Sequence, residues 1–228
     1  MKNVLITGAT GNLGKACTLQ FASEGYRILA LVSPGKGLPY EVDGQLSQYQ
    51  VDLSNEHEVE SVMAQIIAEH EHIDAALLLV GGFAMGNIKN SDGEAIQKML
   101  SLNFSTAYYP ARIVFNHMIT RGMGRLVFVG SKPAMDPNAG KSTLGYALSK
   151  SLVFKLAEIL NAEGGSKNVV STVVVPSIID TPQNREGMPD ADFSKWVKPE
   201  EIASAISYAC SDNAKQLREP ILKVFGGS

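Results

Sequence analysis

The sequence predicts an α/β fold, a doubly wound parallel sheet of about seven strands flanked by helices. Two patterns carry this prediction: short apolar runs rich in β-branched residues and leucine, and segments of helical period that separate these runs. Strands buried on both faces form unbroken apolar runs, and their alternation with helices implies right-handed crossovers that build a parallel sheet. The length of 228 residues suits a single domain, which we assign to 1–228.

The individual elements can be placed along the chain. The predicted strands are the apolar runs at 4–6, 27–32, 75–80, 125–129, 169–175 and 221–225. The predicted helices have apolar residues three or four positions apart and cover 15–24, 56–69, 94–120, 145–161 and 199–211. Start signals support two of them: Asn55 and Glu58 have the spacing of a capping box, and Pro199 suits a first helical turn.

One long irregular segment, 176–198, follows a predicted strand and is rich in proline and charged residues. Long loops in compact domains are commonly functional, and open parallel sheets bind ligands beyond the carboxyl ends of their strands. We therefore expect 176–198 to be a substrate loop. Its aromatic residues Phe193 and Trp196 suit either a lid over the substrate or an anchor to the body of the domain.

The composition narrows the class of partner. The formal net charge is −3 and no dense run of lysine or arginine occurs, which argues against nucleic acid or an anionic membrane as partner. Cys17 and Cys210 lie far apart without metal-ligand spacing, which suits a reducing compartment, so we expect a cytoplasmic protein. No apolar run is long enough for a signal peptide or a membrane span. His70 and His72 lie two apart and face different sides of a helix, so we expect no metal site.

A glycine-rich turn, TGATGNLGKA, joins the first predicted strand to the first predicted helix. In such a turn the first glycine permits a tight bend, the second lets backbone approach a pyrophosphate, and the third lets the helix pack close to the strand. The helix N-terminus then supplies amide donors and positive potential. This placement predicts a dinucleotide-binding Rossmann domain over an ordinary glycine turn. The residues predicted to form the phosphate site are Gly8, Thr10, Gly11, Asn12, Leu13 and Gly14.

The end of the second predicted strand bears on the choice of cofactor. A dinucleotide fold that binds NAD places an acidic residue there, on the ribose 2′-hydroxyl. Here Ser33 occupies that region and Lys36 follows it. Serine can donate to a 2′-phosphate and lysine can neutralise it, so we expect NADP(H) to be preferred, with NAD(H) possible. The alternative is that Lys36 is a solvated turn residue.

Taken together, these and further motifs resemble the short-chain dehydrogenase/reductase family over nearly the whole chain. The matching segments are TGATGNLG, Asp52 with Leu53, VGG at 80–82, Asn103, Ser131, YALSK at 146–150 and PSIIDT at 176–181. The resemblance implies that Asp52 contacts adenine, that VGG passes beside the cofactor and that Thr181 reaches the nicotinamide carboxamide. The cofactor residues implied in this way are Asp52, Leu53, Val80, Gly81, Gly82, Tyr146, Lys150, Pro176, Ile179 and Thr181.

The pair Tyr146 and Lys150 lies one helical turn apart and is either an amphipathic helix edge or a catalytic pair. The family setting favours chemistry, with Tyr146 as the acid that protonates a carbonyl oxygen. A free tyrosine titrates near pH ~10, so action near neutrality requires a lowering of about three units, or about 4 kcal/mol. An ammonium about 4 Å away supplies roughly that amount at an effective dielectric of about 20. Ser131 would hold the substrate oxygen.

Asn103 has two possible roles. By resemblance, Asn103 would help to hold a water that links Lys150 to solvent. The alternative is a buried amide whose groups are satisfied by backbone. Ser131 has a similar alternative as a loop or cap serine.

The expected activity is thus reduction of a small-molecule carbonyl or quinonoid substrate by a nicotinamide cofactor. A non-catalytic NADP(H)-binding sensor or regulator is the alternative, although a sensor needs no proton donor. Within the family, the segments VGGFAMG and IDTPQNREGMPDADFSKW resemble those of quinonoid dihydropteridine reductases, and Trp196 or Phe83 could supply the flat wall that a pterin needs. Ser33 and Ser131 depart from that subgroup. By resemblance, the two long helices 94–120 and 145–161 would pair between subunits in a homodimer or homotetramer.

Overall fold

The computed structural model describes residues 1–218 and 220–227 and contains a parallel sheet of seven strands. The strands are β1 (Asn3–Thr7), β2 (Arg27–Val32), β3 (Leu46–Gln50), β4 (Ala75–Leu78), β5 (Met123–Val129), β6 (Asn168–Pro176) and β7 (Ile221–Val224). Their order across the sheet is β3-β2-β1-β4-β5-β6-β7, and each neighbouring pair is parallel. The strand order reverses at β1, so a crevice opens between the carboxyl ends of β1 and β4, where such sheets bind ligands. The predicted fold class is confirmed.

Helices cover both faces of this sheet. They are α1 (Asn12–Ser23), α2 (Glu56–His70), α3 (Gly93–Leu100), α4 (Thr106–Arg121), α5 (Pro137–Gly140), α6 (Leu144–Gly164), α7 (Pro182–Gly187) and α8 (Pro199–Cys210). Buried side chains of α2, α4 and α6 share one apolar core, and those of α1 and α8 share another. The sheet therefore lies between two helical layers, as a doubly wound topology requires. Within the described residues, no helix has the length and hydropathy needed to cross a membrane.

The structure corrects two of the predicted elements. The edge strand β3 was absent from the predicted strands, because its sequence LSQYQ is mostly polar and only Tyr49 in it is buried. The predicted helix 94–120 is divided into α3, a π-helical turn at Ser101–Ser105, and α4. Single π turns inside helices are frequent at functional sites, and this one carries Asn103.

The segment 176–198 is more ordered than its composition predicts. It contains α7 and a 3₁₀ turn at Phe193–Lys195. Backbone hydrogen bonds from Val197 N to Ile178 O (3.0 Å) and from Asp180 N to Val197 O (2.8 Å) close the segment on itself. Trp196 is buried. Its ring packs against Phe193 of the same segment, with centroids 4.7 Å apart. Burial of the indole favours the second of the two roles considered from the sequence, an anchor rather than a lid.

Candidate active site

The glycine turn after β1 has the geometry of a phosphate cradle. Gly8 has φ +67°, a conformation that side chains disfavour, and its carbonyl accepts a hydrogen bond from Gly11 N at 3.0 Å. A Cβ added to Gly14 would lie 2.0 Å from Gly8 O, so only glycine lets α1 pack this close to the turn. The N-cap of α1 is Gly11, which has no side chain to satisfy the first amides. Those free amides fit the phosphates of a dinucleotide.

A cavity of about 760 Å³ lies between α1, α7 and the start of α8, and Ser131, Tyr146 and Lys150 do not line it. A second cavity, of about 580 Å³, lies beside the glycine turn and brings distant residues together. Of the residues predicted to bind the cofactor, it is lined by Gly8, Thr10, Ser33, Asp52, Leu53 and Val80. Lys36 does not line this cavity and lies exposed on the turn after β2. Lys98, which is not among the residues predicted to bind the cofactor, also lines the cavity. No motif marks Lys98, since only the tertiary packing of α3 brings it to the cavity.

Asp52 is held in place at the edge of this cavity. Its Oδ1 accepts hydrogen bonds from Ser54 Oγ (2.7 Å) and Ser54 N (2.9 Å), and these bonds lower the pKa of its carboxyl. Its own amide donates to Glu58 Oε2 at 3.1 Å. The predicted capping box is therefore only half formed. Asn55 Oδ1 accepts from Glu58 N, but the Glu58 carboxylate accepts from the backbone N–H of Asp52 and from Asn55 Nδ2, while the backbone N–H of Asn55 donates to Asp52 O. Asp52 stays ionised, with its carboxylate oriented by Ser54.

The predicted catalytic residues meet at the carboxyl end of β5 and the start of α6. Ser131 follows β5 and is buried, and its Oγ has no hydrogen-bond partner within 3.5 Å among the described residues. Burial raises the pKa of the Tyr146 phenol, and the nearby Ser131 hydroxyl opposes this effect. Lys150 is 5% exposed, and its Nζ donates to Val129 O at 2.8 Å. Burial lowers the pKa of Lys150 to about 8.

The expected lowering of the Tyr146 pKa by Lys150 is not found in this structure. Desolvation of the phenolate is the largest effect on Tyr146, and the Lys150 ammonium is bonded to the Val129 carbonyl. A phenol with a raised pKa keeps its proton at neutral pH and can still donate it, but it is a weaker acid than the lowering expected from Lys150 would make it.

Asn103 joins three elements. Its Oδ1 accepts from Gly82 N (2.9 Å), and its Nδ2 donates to Gly82 O (3.1 Å) and to Ser149 Oγ on α6 (3.1 Å). These contacts agree with the alternative in which the amide of Asn103 is satisfied by backbone. A Cβ on Gly81 would lie 2.7 Å from Asn103 Oδ1 and 3.0 Å from Lys150 Nζ. The segment after β4 therefore lies directly against Asn103 and Lys150.

Phe83 continues this segment and faces Tyr146. The two rings meet edge to face, with centroids 5.1 Å apart and an interplanar angle of 72°. The backbone on both sides of Phe83 is held by hydrogen bonds. Gly82 is bonded to Asn103, and Gly86 pairs with the backbone at Ser142 and Leu144. Phe83 is 61% exposed, so a fixed apolar surface adjoins the phenol. The alternative wall, Trp196, is buried.

The residues predicted near the nicotinamide lie at the end of β6 and the start of α7. Pro176 ends β6, and Ile179 packs against the core beneath α1 and α8. Thr181 caps α7, with its Oγ1 accepting from Asn184 N at 3.2 Å. Asn12 Nδ2 donates to Gln183 Oε1 at 2.9 Å. That bond links the start of α1 to α7, so the residues predicted for the phosphates adjoin those predicted for the nicotinamide.

Among the residues that the structure describes, no group of three or more histidine, cysteine or carboxylate side chains could hold a metal ion. The reactive groups at this site are the hydroxyls of Ser131 and Tyr146 and the buried amine of Lys150, and the glycine turn after β1 lies at the same edge of the sheet. Both cysteines are buried, and burial raises the pKa of their thiols, that of Cys210 to about 12.

Comparison with known proteins supports this description. The family model for short chain dehydrogenases matches residues 2–192. A 3-oxoacyl-[acyl-carrier-protein] reductase of Thermotoga maritima is 26% identical over 99% of this chain and 97% of its own. A dihydropteridine reductase of Dictyostelium discoideum is 25% identical over 90% of this chain and 86% of its own. The solved structure of ElxO with NADP bound superimposes with a TM-score of 0.90 at 20% identity and covers 99% and 98% of the two chains. The chain therefore belongs to the short-chain dehydrogenase family and is an oxidoreductase that uses a nicotinamide dinucleotide.

Proposed function

We propose that the chain is an NADPH-dependent reductase of a small-molecule carbonyl or quinonoid compound, with Tyr146 as the proton donor. The observation that carries this proposal is the convergence of Ser131, Tyr146 and buried Lys150 beside the crevice at the carboxyl edge of the sheet. A non-catalytic cofactor sensor would have no use for a buried amine next to two hydroxyls, because burying an amine costs stability.

The cofactor supplies a hydride when it is bound. The glycine turn and the free amides of α1 would hold its pyrophosphate, and the cavity lined by Ser33, Asp52 and Val80 would hold its adenosine. Pro176, Ile179 and Thr181 would lie beside its nicotinamide.

Three side chains would handle the substrate oxygen. The unpartnered Ser131 hydroxyl would donate to it and orient the carbonyl. Tyr146 would pass its phenolic proton to the same oxygen as negative charge develops there. Lys150, protonated below its pKa of about 8, would stabilise the phenolate that remains.

A dihydropteridine reductase-like activity is a second candidate, favoured by one observation. Phe83 presents a fixed, exposed ring against Tyr146, where a planar quinonoid ring could stack. The dihydropteridine reductase of Dictyostelium discoideum is one of the relatives named above.

A substrate panel tests both candidates. Oxidation of NADPH and NADH is followed at the nicotinamide absorbance with a quinonoid dihydropterin, ketones and quinones. Turnover on any of these compounds supports the reductase, and turnover on the dihydropterin well above the others supports the second candidate. Tight cofactor binding with no turnover on the whole panel would favour the sensor.

We also propose a cytoplasmic homo-oligomer that pairs through α6. Leu148, Leu152 and Ile159 on this helix are 48%, 41% and 54% exposed, an unusual exposure for large apolar side chains on one helix. Light scattering with separation by size tests this proposal, and a monomer at micromolar concentration would contradict it.

The cofactor preference can be reversed at one position. Because Ser33 is exposed at the adenosine cavity, an aspartate there would repel a 2′-phosphate and accept from a 2′-hydroxyl. Ser33→Asp is expected to weaken NADP⁺ binding by about tenfold or more and to leave NAD⁺ binding unchanged or tighter. Calorimetric titration of both cofactors measures this change, with Ser33→Ala as the control. Equal weakening for the two cofactors would contradict the assignment.

The pKa of Lys150 sets the pH above which activity is expected to fall. Its folded pKa of about 8 lies below the usual value for lysine because burial disfavours the ammonium. Since reduction uses the protonated amine, kcat/KM is expected to be steady below that value and to fall as the pH rises through about 8. A pH profile of kcat/KM with saturating NADPH measures the limit. A profile that stays flat to pH ~10 would show that the charge of Lys150 is not required.

A further inference from the structure

The adenosine cavity contains one acidic and one basic residue among its described lining residues, Asp52 and Lys98. Asp52 is ionised and oriented by Ser54, as its hydrogen bonds and lowered pKa indicate. A phosphorylated adenosine that entered the cavity would therefore meet a fixed negative charge. A cation in the lining would offset that charge.

The cation selected from the sequence, Lys36, does not line this cavity. The turn that carries it is bound to the edge strand β3: Gly35 N donates to Gln50 Oε1 (2.9 Å), and Gln50 Nε2 donates to Lys36 O (3.3 Å). Leu38 N donates to Gln48 Oε1 at 2.9 Å. These bonds fix the backbone of the turn while the Lys36 side chain lies exposed.

Lys98 is the lysine that lines the cavity. It lies in the last turn of α3, on the side of the cavity formed by Ser101, Leu102 and Thr106. Within the described part of the chain, its ammonium forms no ion pair and no side-chain hydrogen bond, so no carboxylate competes for it. Lysine also has a long flexible stem, which lets the ammonium reach across a cavity.

We propose that Lys98 is a specificity-determining residue for the cofactor, whose ammonium attracts the 2′-phosphate of NADP(H) in the cavity that Ser33 also lines. The proposal rests on the placement of adenosine given under the proposed function. It divides recognition between two elements: Ser33 after β2 supplies a hydroxyl, and Lys98 on α3 supplies the charge.

Direct binding tests this proposal without turnover. NADP⁺ and NAD⁺ are titrated calorimetrically into the wild-type protein and into Lys98→Met, Lys98→Arg, Lys36→Met and Lys167→Met. Lys98→Met is expected to weaken NADP⁺ binding by about tenfold and to change NAD⁺ binding by less than about twofold. Lys98→Arg should keep the preference. Lys167→Met removes the same charge from an exposed position outside the cavity and should change neither affinity.

Added salt should reduce the difference between wild type and Lys98→Met, because exposed charges are screened. Equal weakening of both cofactors by Lys98→Met, or a larger effect from Lys36→Met, would overturn the proposal. If Ser33→Asp weakens the binding of NADP⁺ alone while Lys98→Met changes neither affinity, the placement of adenosine stands and the role of Lys98 is overturned. If neither cofactor binds to the wild-type protein, both proposals are overturned.

Discussion

Replacing Tyr146 with phenylalanine is expected to lower turnover by about 10²–10⁴-fold, the usual loss when a positioned proton donor is removed. The change deletes one oxygen and keeps the ring, so the edge-to-face contact with Phe83 should survive. Cofactor affinity and thermal stability should therefore change little. Turnover of NADPH with an active substrate from the panel, together with NADP⁺ titration, measures both parts of this expectation.

A matched control is available in the same chain. Tyr208 on α8 is 55% exposed and does not line the adenosine cavity, so Tyr208→Phe should leave turnover unchanged. Turnover of Tyr146→Phe close to that of Tyr208→Phe would remove Tyr146 from the mechanism. Loss of both turnover and NADP⁺ binding would instead indicate a structural or cofactor-binding role for the phenol.

Replacing Gly14 with alanine is expected to damage both the fold and the cofactor site. The added Cβ would lie 2.0 Å from Gly8 O and 2.8 Å from Ala9 Cα, and both of these are backbone atoms with no rotamer to change. Either α1 or the turn must move, at a cost of about 3 kcal/mol in the free energy of unfolding. For a domain of this size that cost corresponds to a Tm lower by about 6–12 °C. Dinucleotide affinity should fall with it, because α1 carries the phosphate-binding amides.

Gly93→Ala is the control for Gly14→Ala. Gly93 begins α3, and an added Cβ there meets no atom within 4 Å. Its Tm should stay the same or rise slightly, because alanine restricts the unfolded chain. A Gly14→Ala variant as stable as Gly93→Ala, with normal NADP⁺ affinity, would contradict the close packing of α1 on the turn. Thermal unfolding and calorimetric titration of the two variants decide the comparison.

The fold was predictable because two patterns in the sequence indicate it: apolar runs that are typical of buried strands, and the helical period of the segments between them. The strands β2 and β6 are mostly apolar and are buried along nearly their whole length, since both faces of the central strands are covered. The edge strand β3 lacks this signal: one side of it meets solvent, and its glutamines bind the neighbouring turn rather than the core. The π turn at Asn103 is likewise invisible in apolar periodicity.

The candidate site was predictable where local sequence carries the chemistry. The glycine turn and the Tyr146–Lys150 pair are contiguous motifs, and their positions in the fold follow from the order of the strands. Lys98 was not predictable, because its place at the cavity depends on how α3 packs. The raised pKa of Tyr146 was also missed, since spacing indicates the nearby lysine but not the depth of burial that opposes it.

The central claim is that this chain transfers hydride to a substrate whose oxygen Tyr146 protonates. The most direct measurement is the reaction of NADPH deuterated at the transferred position with an active ketone from the panel, whose reduced carbon keeps the transferred hydrogen, followed by mass spectrometry of the product. We expect one deuterium on the reduced carbon with wild type and a strongly reduced yield of the same product with Tyr146→Phe. Product without deuterium, or NADPH that binds and remains unoxidised with every compound, would contradict the claim.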